Sequence, residues 1–424
     1  MKTTCMKLLL ALSLLIGCGS LALHAQSGPP ATPAPTPSPA PSPAPTPVPY
    51  NVTTLVPDGE LLQPSSVAFD SAGNLYIADA GNNVIRKVDT KGNLTLFAGV
   101  LDRSEKYPEF NAAAAAASGQ PVPNCTSTTG DHCAANEAVF SSPKNIAVDA
   151  NGNVYVSDFA ASKIREINAA TGMVTVYAGG HKGGWSERKL HNPEGIVFDS
   201  QGNLYIADKL NNAIRKVTPP ATAGQRGTIT TIAGLGPNGA GCAQEGVAAI
   251  GAPLNTPEDV AVDAAGNIYI ADTGCRKIRK IGLDGSLTTV AGSGAGPSGS
   301  PLNLPYNGPT AQASAVNFEK PVGVKVDSAG NLYISDASFK VIWLLAAGST
   351  TLQVIGGLGP HTAGNTICAS STNDFGDGCP GTQARLNTPY RVAVDPQGNV
   401  YVPEQGGTSV PSHPFAIRVL NAPQ

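Results

Sequence analysis

Acidic and basic side chains recur in this sequence at fixed intervals instead of gathering in one place. Asp79, Asp158, Asp208 and Asp272 each stand seven residues before Arg86, Arg165, Arg215 and Arg279. A carboxylate and a guanidinium repeated at one spacing serve ion pairing and hydrogen bonding inside a repeated unit, not a single reaction centre. Departures from the pattern are therefore where specific chemistry belongs. The fifth unit keeps Asp336 but carries Trp343 in place of the arginine, and in the sixth Glu404 stands for the aspartate, ahead of the longer loop QGGTSVPSHP. Lys325 takes a position that other units give to a small residue, and Glu194, Glu258, Asp259 and Arg391 fall beside it at the beginnings of units. Phe159, Trp185, Arg188, Lys209, Phe339, Lys340 and Tyr390 complete the candidate binding contacts. A metal-dependent reaction would need convergent histidines or carboxylates. His132, His181, His191, His361 and His413 are scattered among loops, so neither a metal nor another cofactor is expected and no catalytic residue is assigned.

The units that carry these residues are six. They begin with SSVAFDSAGNLYIADAGNNVIRKV at Ser65 and continue from Pro143, Pro193, Pro257, Pro321 and Pro389. Each offers three short apolar runs, and after most of them comes a fourth such as LTLFAG, VTVYAGG or TITTIAG. Between the first two runs lies D-x-x-G-N, as in Asp70 to Asn74. Aspartate bonds backbone amides at a turn start, glycine supplies positive φ and asparagine tolerates it, which is hairpin chemistry. One carboxylate per turn is too few for calcium. A lone four-stranded unit cannot cover both its faces, whereas units arranged about an axis cover one another and leave no exposed edge. The reading is an all-β, six-bladed propeller. The sixth unit lacks a fourth run, and Val52-Thr53-Thr54-Leu55, ahead of the first, has the matching pattern. The N-terminal segment is predicted to complete the last blade.

In such a ring the connections from fourth to first strand and from second to third share one rim. The long insertions, residues 100–142, 234–256, 292–320 and 357–388, are all of the first kind. Variable loops on a rigid scaffold are where binding surfaces usually sit. Six cysteines follow the first 25 residues, and three bridges are expected: Cys125–Cys133 and Cys368–Cys379 within insertions, and Cys242–Cys275 between two loops of one rim.

The first 25 residues read as a secretory signal, with a basic start, an apolar run and a small-residue exit at Ala25. Leu15-Ile16-Gly17-Cys18 gives the alternative of a lipoprotein signal, with a lipid anchor at Cys18. Residues 26–49 are a proline-rich linker that would run extended, holding the propeller of residues 50–424 roughly 60 Å from its attachment. No further segment is apolar enough to span a bilayer. The net charge of −3 and the lack of a basic stripe argue against nucleic acid.

The unit P-x-G-V-A-V-D-x-x-G-N-L-Y-I-A-D-x-x-N-x-x-I-R-K resembles the NHL repeat in its bacterial and teneurin-like form. Gly376-Asp377-Gly378-Cys379-Pro380-Gly381-Thr382 and Asn307-Gly308-Pro309-Thr310-Ala311 are similar to that family's linker phrase, and the resemblance covers residues 50–424. It implies the fold and says little of function, since propellers of this family include RNA binders, protein-interaction modules and lyases. With the leader and the rim loops, the expectation is an extracytoplasmic, monomeric binding scaffold, secreted or held in a periplasm or cell envelope, taking a protein or glycan through one rim. The alternative is a propeller enzyme, a lyase or lactonase-like hydrolase, with its site at the central channel.

Overall fold

The computed structural model describes residues 50–57, 59–101, 131–180, 189–220, 226–295, 310–359, 367–406 and 415–423. These form six antiparallel sheets, each ordered first to fourth strand. In the third blade, for example, Pro193–Phe198, Leu204–Asp208, Ala213–Thr218 and Thr228–Gly234 pair in turn. The strands are short and rich in Val, Ile and Tyr, and in blades 1 to 5 the second strand is buried along its whole length because neighbouring blades cover both its faces. Blades 2, 4 and 5 add an outer edge strand: Cys133–Ala134, Val247–Ala248 and Thr310–Gln312.

The turn between first and second strands is satisfied from within. Asp70 accepts hydrogen bonds from the Ala72 and Asn74 amides, the Asn74 side chain and the Tyr76 hydroxyl, at 2.8–3.3 Å. Gly73 sits at φ +85°. Asp149, Asp199, Asp263, Asp327 and Asp395 repeat this arrangement.

The ring closes as the sequence predicts. Asn51–Val56 pairs antiparallel with Ala416–Asn421, which places Val52 opposite Leu420 and makes the N-terminal strand the fourth of blade 6. On the inner side, Ser66 of blade 1 bridges Arg391 of blade 6. The apolar core is divided among the interfaces between blades; Val52, Ile342, Ile355, Val402 and Leu420 fill the one between blades 5 and 6.

The acid ending each second strand does more than pair with arginine. Asp79, Asp158, Asp208 and Asp272 accept the backbone amides of Leu62, Ser141, His191 and Asn255 at 2.6–2.8 Å. Asp336 and Glu404 take those of Glu319 and Asn387. Each acid thereby clamps the incoming connection two residues ahead of the first strand. The expected arginine pairs form in blades 1, 2 and 3 at 3.0–3.4 Å. Blade 4 departs: Arg279 turns instead to the carbonyls of Ala243 and Gln244 and to Glu245. The loop carrying Cys242 brings those acceptors within reach.

Burial raises these acids despite the bonds they accept: Asp158, Asp208 and Asp336 to about 6, and Asp272 and Glu404 to about 7. Each then holds its proton more tightly folded than unfolded. The resulting stability is present below the unfolded value near 4 and is lost as pH rises through 6–7. The turn acids Asp70 and Asp263 act oppositely. Burial opposes their charge, but hydrogen bonds from Asn74 and Asn267 outweigh it and lower them, so their contribution is lost on acidification. The melting temperature is expected to peak near about pH 5 and to fall by several degrees toward pH 8. A melting temperature still rising at pH 8 would contradict this balance.

Candidate functional site: a sealed axis and an open cavity

Five first strands start at a proline near the axis, in blade 6 Pro389 stands four residues ahead of the strand Ala393–Val394, and the residues following these prolines form successive rings. The first ring is Ser65, Lys144, Glu194, Glu258, Val322 and Tyr390; the second is Ser66, Asn145, Gly195, Asp259, Gly323 and Arg391. Within these rings the sixfold repetition breaks, and half of the side chains there are large or charged.

Arg391 crosses the axis from blade 6 to blades 3 and 4. Its Nη2 donates to Glu194 Oε2 at 2.6 Å and to the Glu258 carbonyl at 2.8 Å, and its Nε reaches that carbonyl at 3.2 Å and lies 3.8 Å from Asp259 Oδ1. Lys209, from the second-to-third-strand connection of blade 3, donates to Glu194 at 3.1 Å and to Glu258 at 2.9 Å. The Tyr390 hydroxyl donates to Glu258 Oε2 at 3.1 Å. Burial works against the Glu258 charge, but Lys209 and Arg391 prevail and hold its pKa low. Burial likewise opposes the charge on Lys209, and Glu194 and Glu258 overcome it and raise its pKa. Asp259 has weaker support: burial pushes it up to about 6 against Arg391 and a 2.9 Å hydrogen bond from the Val324 amide. Close packing makes the arrangement unique. A Cβ on Gly195 would lie 2.1 Å from Asp259 Oδ1, so only glycine fits beside that carboxylate.

Glu194, Glu258, Tyr390 and Arg391 are each no more than 5% exposed, so these rings seal the channel on the rim of the long connections. Beyond the seal lies a cavity of about 310 Å³. It follows the first strands from Ser66, Asn145, Asp259 and Arg391 to Phe69, Val148, Phe198 and Val394 at their far ends. Val, Ala, Ile and Phe make up most of its lining residues, Ser66, Asn145, Asp259 and Arg391 add polar groups at the inner end, and Lys325 of blade 5 is part of the lining.

The structure thus brings together Glu194, Lys209, Glu258, Asp259, Tyr390 and Arg391, with Lys325 on the cavity side. Phe159 is half-buried on the sealed rim, its ring 5.8 Å from the Lys144 ammonium and 5.9 Å from that of Lys209. Phe339 belongs to the core between blades 4 and 5, and Lys340 donates weakly to Asn387 at 3.5 Å. Trp185 and Arg188 lie outside the described residues. Lys144 is the charged member of the first ring that sequence reasoning passed over. Its place after Pro143, equivalent to Glu194 and Glu258, was the available signal. The carboxylates that a lactonase-like site would need are each engaged by Arg391 or Lys209, and no group of three His, Cys, Asp or Glu poised for a metal occurs among the described residues.

The Cys242–Cys275 and Cys368–Cys379 disulfides are formed. The first joins the insertion entering blade 4 to the second-to-third-strand connection of the same blade. Cys133 is also disulfide-bonded, while Cys125, its expected partner, lies outside the described residues. Two formed disulfides fit an oxidising compartment. No helix among the described residues is long and apolar enough to cross a membrane.

Repeat pattern, blade count and closure together define an NHL-type β-propeller. Residues 100–186 match the family model of the teneurin NHL domain, which together with the six-bladed ring supports an NHL-repeat propeller. Among solved structures, a structural-genomics protein of unknown function from Bacteroides thetaiotaomicron VPI-5482 superposes with a TM-score of 0.54 at 17% identity, covering 87% of this chain and 75% of that one. An auxiliary nutrient binding protein from the same organism gives 0.53 at 12%, with the same coverage. At such identities the likeness is one of fold.

Proposed function

We propose that the protein is an exported binding scaffold whose working surface is the sealed rim and whose ligand is a protein, with a glycan as the alternative. The observation that carries this reading is the coincidence of seal and loops. The end of the axis that bears the long insertions is filled by Arg391 and its partners, so it presents a continuous face, not the mouth of an active site. On that face the connections around blades 3 and 4 hold Leu210, Leu235 and Ile250, which are 40%, 52% and 72% exposed. Gly234 bridges Ile250, and Asn212 donates to the Pro237 carbonyl, so these segments are adjacent. Three large apolar side chains in water on tied-down loops favour a protein partner over a sugar. Lys209 and Phe159 lie on the axial side of them, a cation beside an aromatic ring.

A display screen of exported protein domains, run beside a glycan array on the folded chain, tests this reading. Any ligand found is then measured against L210D/I250D and, as a control on the opposite face, L283D. The rim substitutions are expected to weaken binding at least about tenfold, the scale of one well-buried hot spot, while L283D leaves it unchanged. A ligand equally indifferent to both contradicts the assignment of the surface.

A further inference from the structure

We infer that the axial cavity on the unsealed side is a separate binding site for a small organic anion, a carboxylate carried on an apolar body, anchored by Lys325. The inference does not depend on the sealed rim being a binding surface.

The walls come first. Val67, Ala68, Ile146, Val197, Phe198 and Val394 give the cavity apolar walls beside the polar groups of Ser66, Asn145, Asp259 and Arg391, and its volume of about 310 Å³ is in the range of small-molecule sites. A cavity of this kind needs no charge for its own stability. In the equivalent position blades 1, 2, 4 and 6 carry Ala68, Ala147, Ala261 and Ala393, and blade 3 carries Val197. Blade 5 alone places an ammonium there. Fold requirements therefore do not explain Lys325; an alanine suffices in four sister blades.

Charge balance comes second. The axis holds the cations Arg391, Lys209, Lys144 and Lys325 and the anions Glu194, Glu258 and Asp259. Glu194 and Glu258 are engaged by Arg391 and Lys209, and Lys144 lies over the Phe159 ring on the far side of the seal. Asp259 lies nearest Arg391 and accepts the Val324 amide. Among the described residues no carboxylate stands within ion-pair distance of Lys325, and its ammonium makes no hydrogen bond there. Burial accordingly lowers its pKa, with Asp259 opposing from a distance. A partly buried cation with no carboxylate in ion-pair reach is stabilised by an anion that enters the cavity beside it. A carboxylate on the ammonium, with its hydrocarbon part against the valine and phenylalanine walls, satisfies both. A polyanion such as a nucleotide is disfavoured, because Asp259 and the apolar walls offer nothing to a second or third charge.

The test is calorimetric titration of the folded full chain with octanoate and with 1-octanol, whose chain is the same but uncharged. The wild type is expected to bind octanoate at least tenfold more tightly than 1-octanol. In Lys325→Met that preference disappears through loss of octanoate affinity, while the alcohol still binds; Lys325→Arg retains it. Melting temperatures establish that each variant is folded, and octanoate should raise that of the wild type and of Lys325→Arg only. Should Lys325→Met fail to fold, Lys325→Gln takes its place. The proposal is overturned if the folded wild type ignores octanoate, if acid and alcohol bind alike, or if the neutral variant binds octanoate as well as the wild type does.

Discussion

Replacing Arg391 by methionine is expected to destabilise the propeller by about 3–5 kcal/mol, the usual consequence of stripping a buried charge network of one partner. Methionine nearly matches the reach of arginine, so the loss is electrical more than steric. Glu194 loses its 2.6 Å partner, the Glu258 carbonyl loses two donors, and Asp259 loses its nearest cation. Lys209 alone remains for two glutamates. The pH dependence should change in a definite direction. With the guanidinium gone, the freed carboxylates bind protons more tightly in the fold than in the unfolded chain, so the deficit is smallest in acid and grows as pH rises. Arg391→Lys should recover little, because a single ammonium cannot serve the Glu258 carbonyl, the Glu194 carboxylate and Asp259 together. Denaturant unfolding of the three proteins at pH 5 and pH 8 decides the matter. A methionine variant as stable as the wild type at both values would mean that the network is not what fills the axis. Such networks often contribute specificity more than net stability, and the same experiment on R391M/E194Q/E258Q should recover part of the loss.

Removal of residues 1–57 is the second large effect. It deletes the strand Asn51–Val56, leaving Ala416–Asn421 as a bare edge and blade 6 with three strands. Val52 and Val56 are 0% and 3% exposed, and burying a valine stabilises by about 1.5–3 kcal/mol. With the strand's hydrogen bonds at about 1 kcal/mol each, the loss is on the order of 5 kcal/mol or more. The exposed edge is also a template for pairing between molecules. The shortened chain should therefore melt far lower and aggregate, as read by circular dichroism and light scattering. A chain lacking only residues 1–49 should melt like the full one. If both behave alike, the ring is not closed by this strand.

The repetition of the sequence made the fold legible, because six D-x-x-G-N turns at regular spacing admit few alternatives. The closing strand was legible for the same reason: the sixth unit lacked a fourth run and Val52-Thr53-Thr54-Leu55 matched it. The Cys242–Cys275 bridge followed from topology, since both loops had to meet on one rim. The site was legible only in part. Glu194, Glu258, Asp259, Lys325 and Arg391 stood out as breaks in symmetry, yet nothing local to any of them says that Arg391 spans the axis to meet acids more than 130 residues away. That contact depends on the ring's diameter and on Gly195 leaving room for Asp259. The second-strand acids were read as arginine partners. Their clamp on the incoming connection is a backbone interaction, and side-chain spacing carries no trace of it.

The central claim is that the axis is sealed at the end bearing the long connections and open as a cavity at the other. A crystal structure of the protein, at a resolution that shows ordered water, tests it most directly. Dry density is expected to join the Arg391 guanidinium to Glu194 and the Glu258 carbonyl, with waters or a bound anion beside Lys325 on the other side. A continuous file of water through both ends of the ring, with Arg391 turned away from blades 3 and 4, would contradict it.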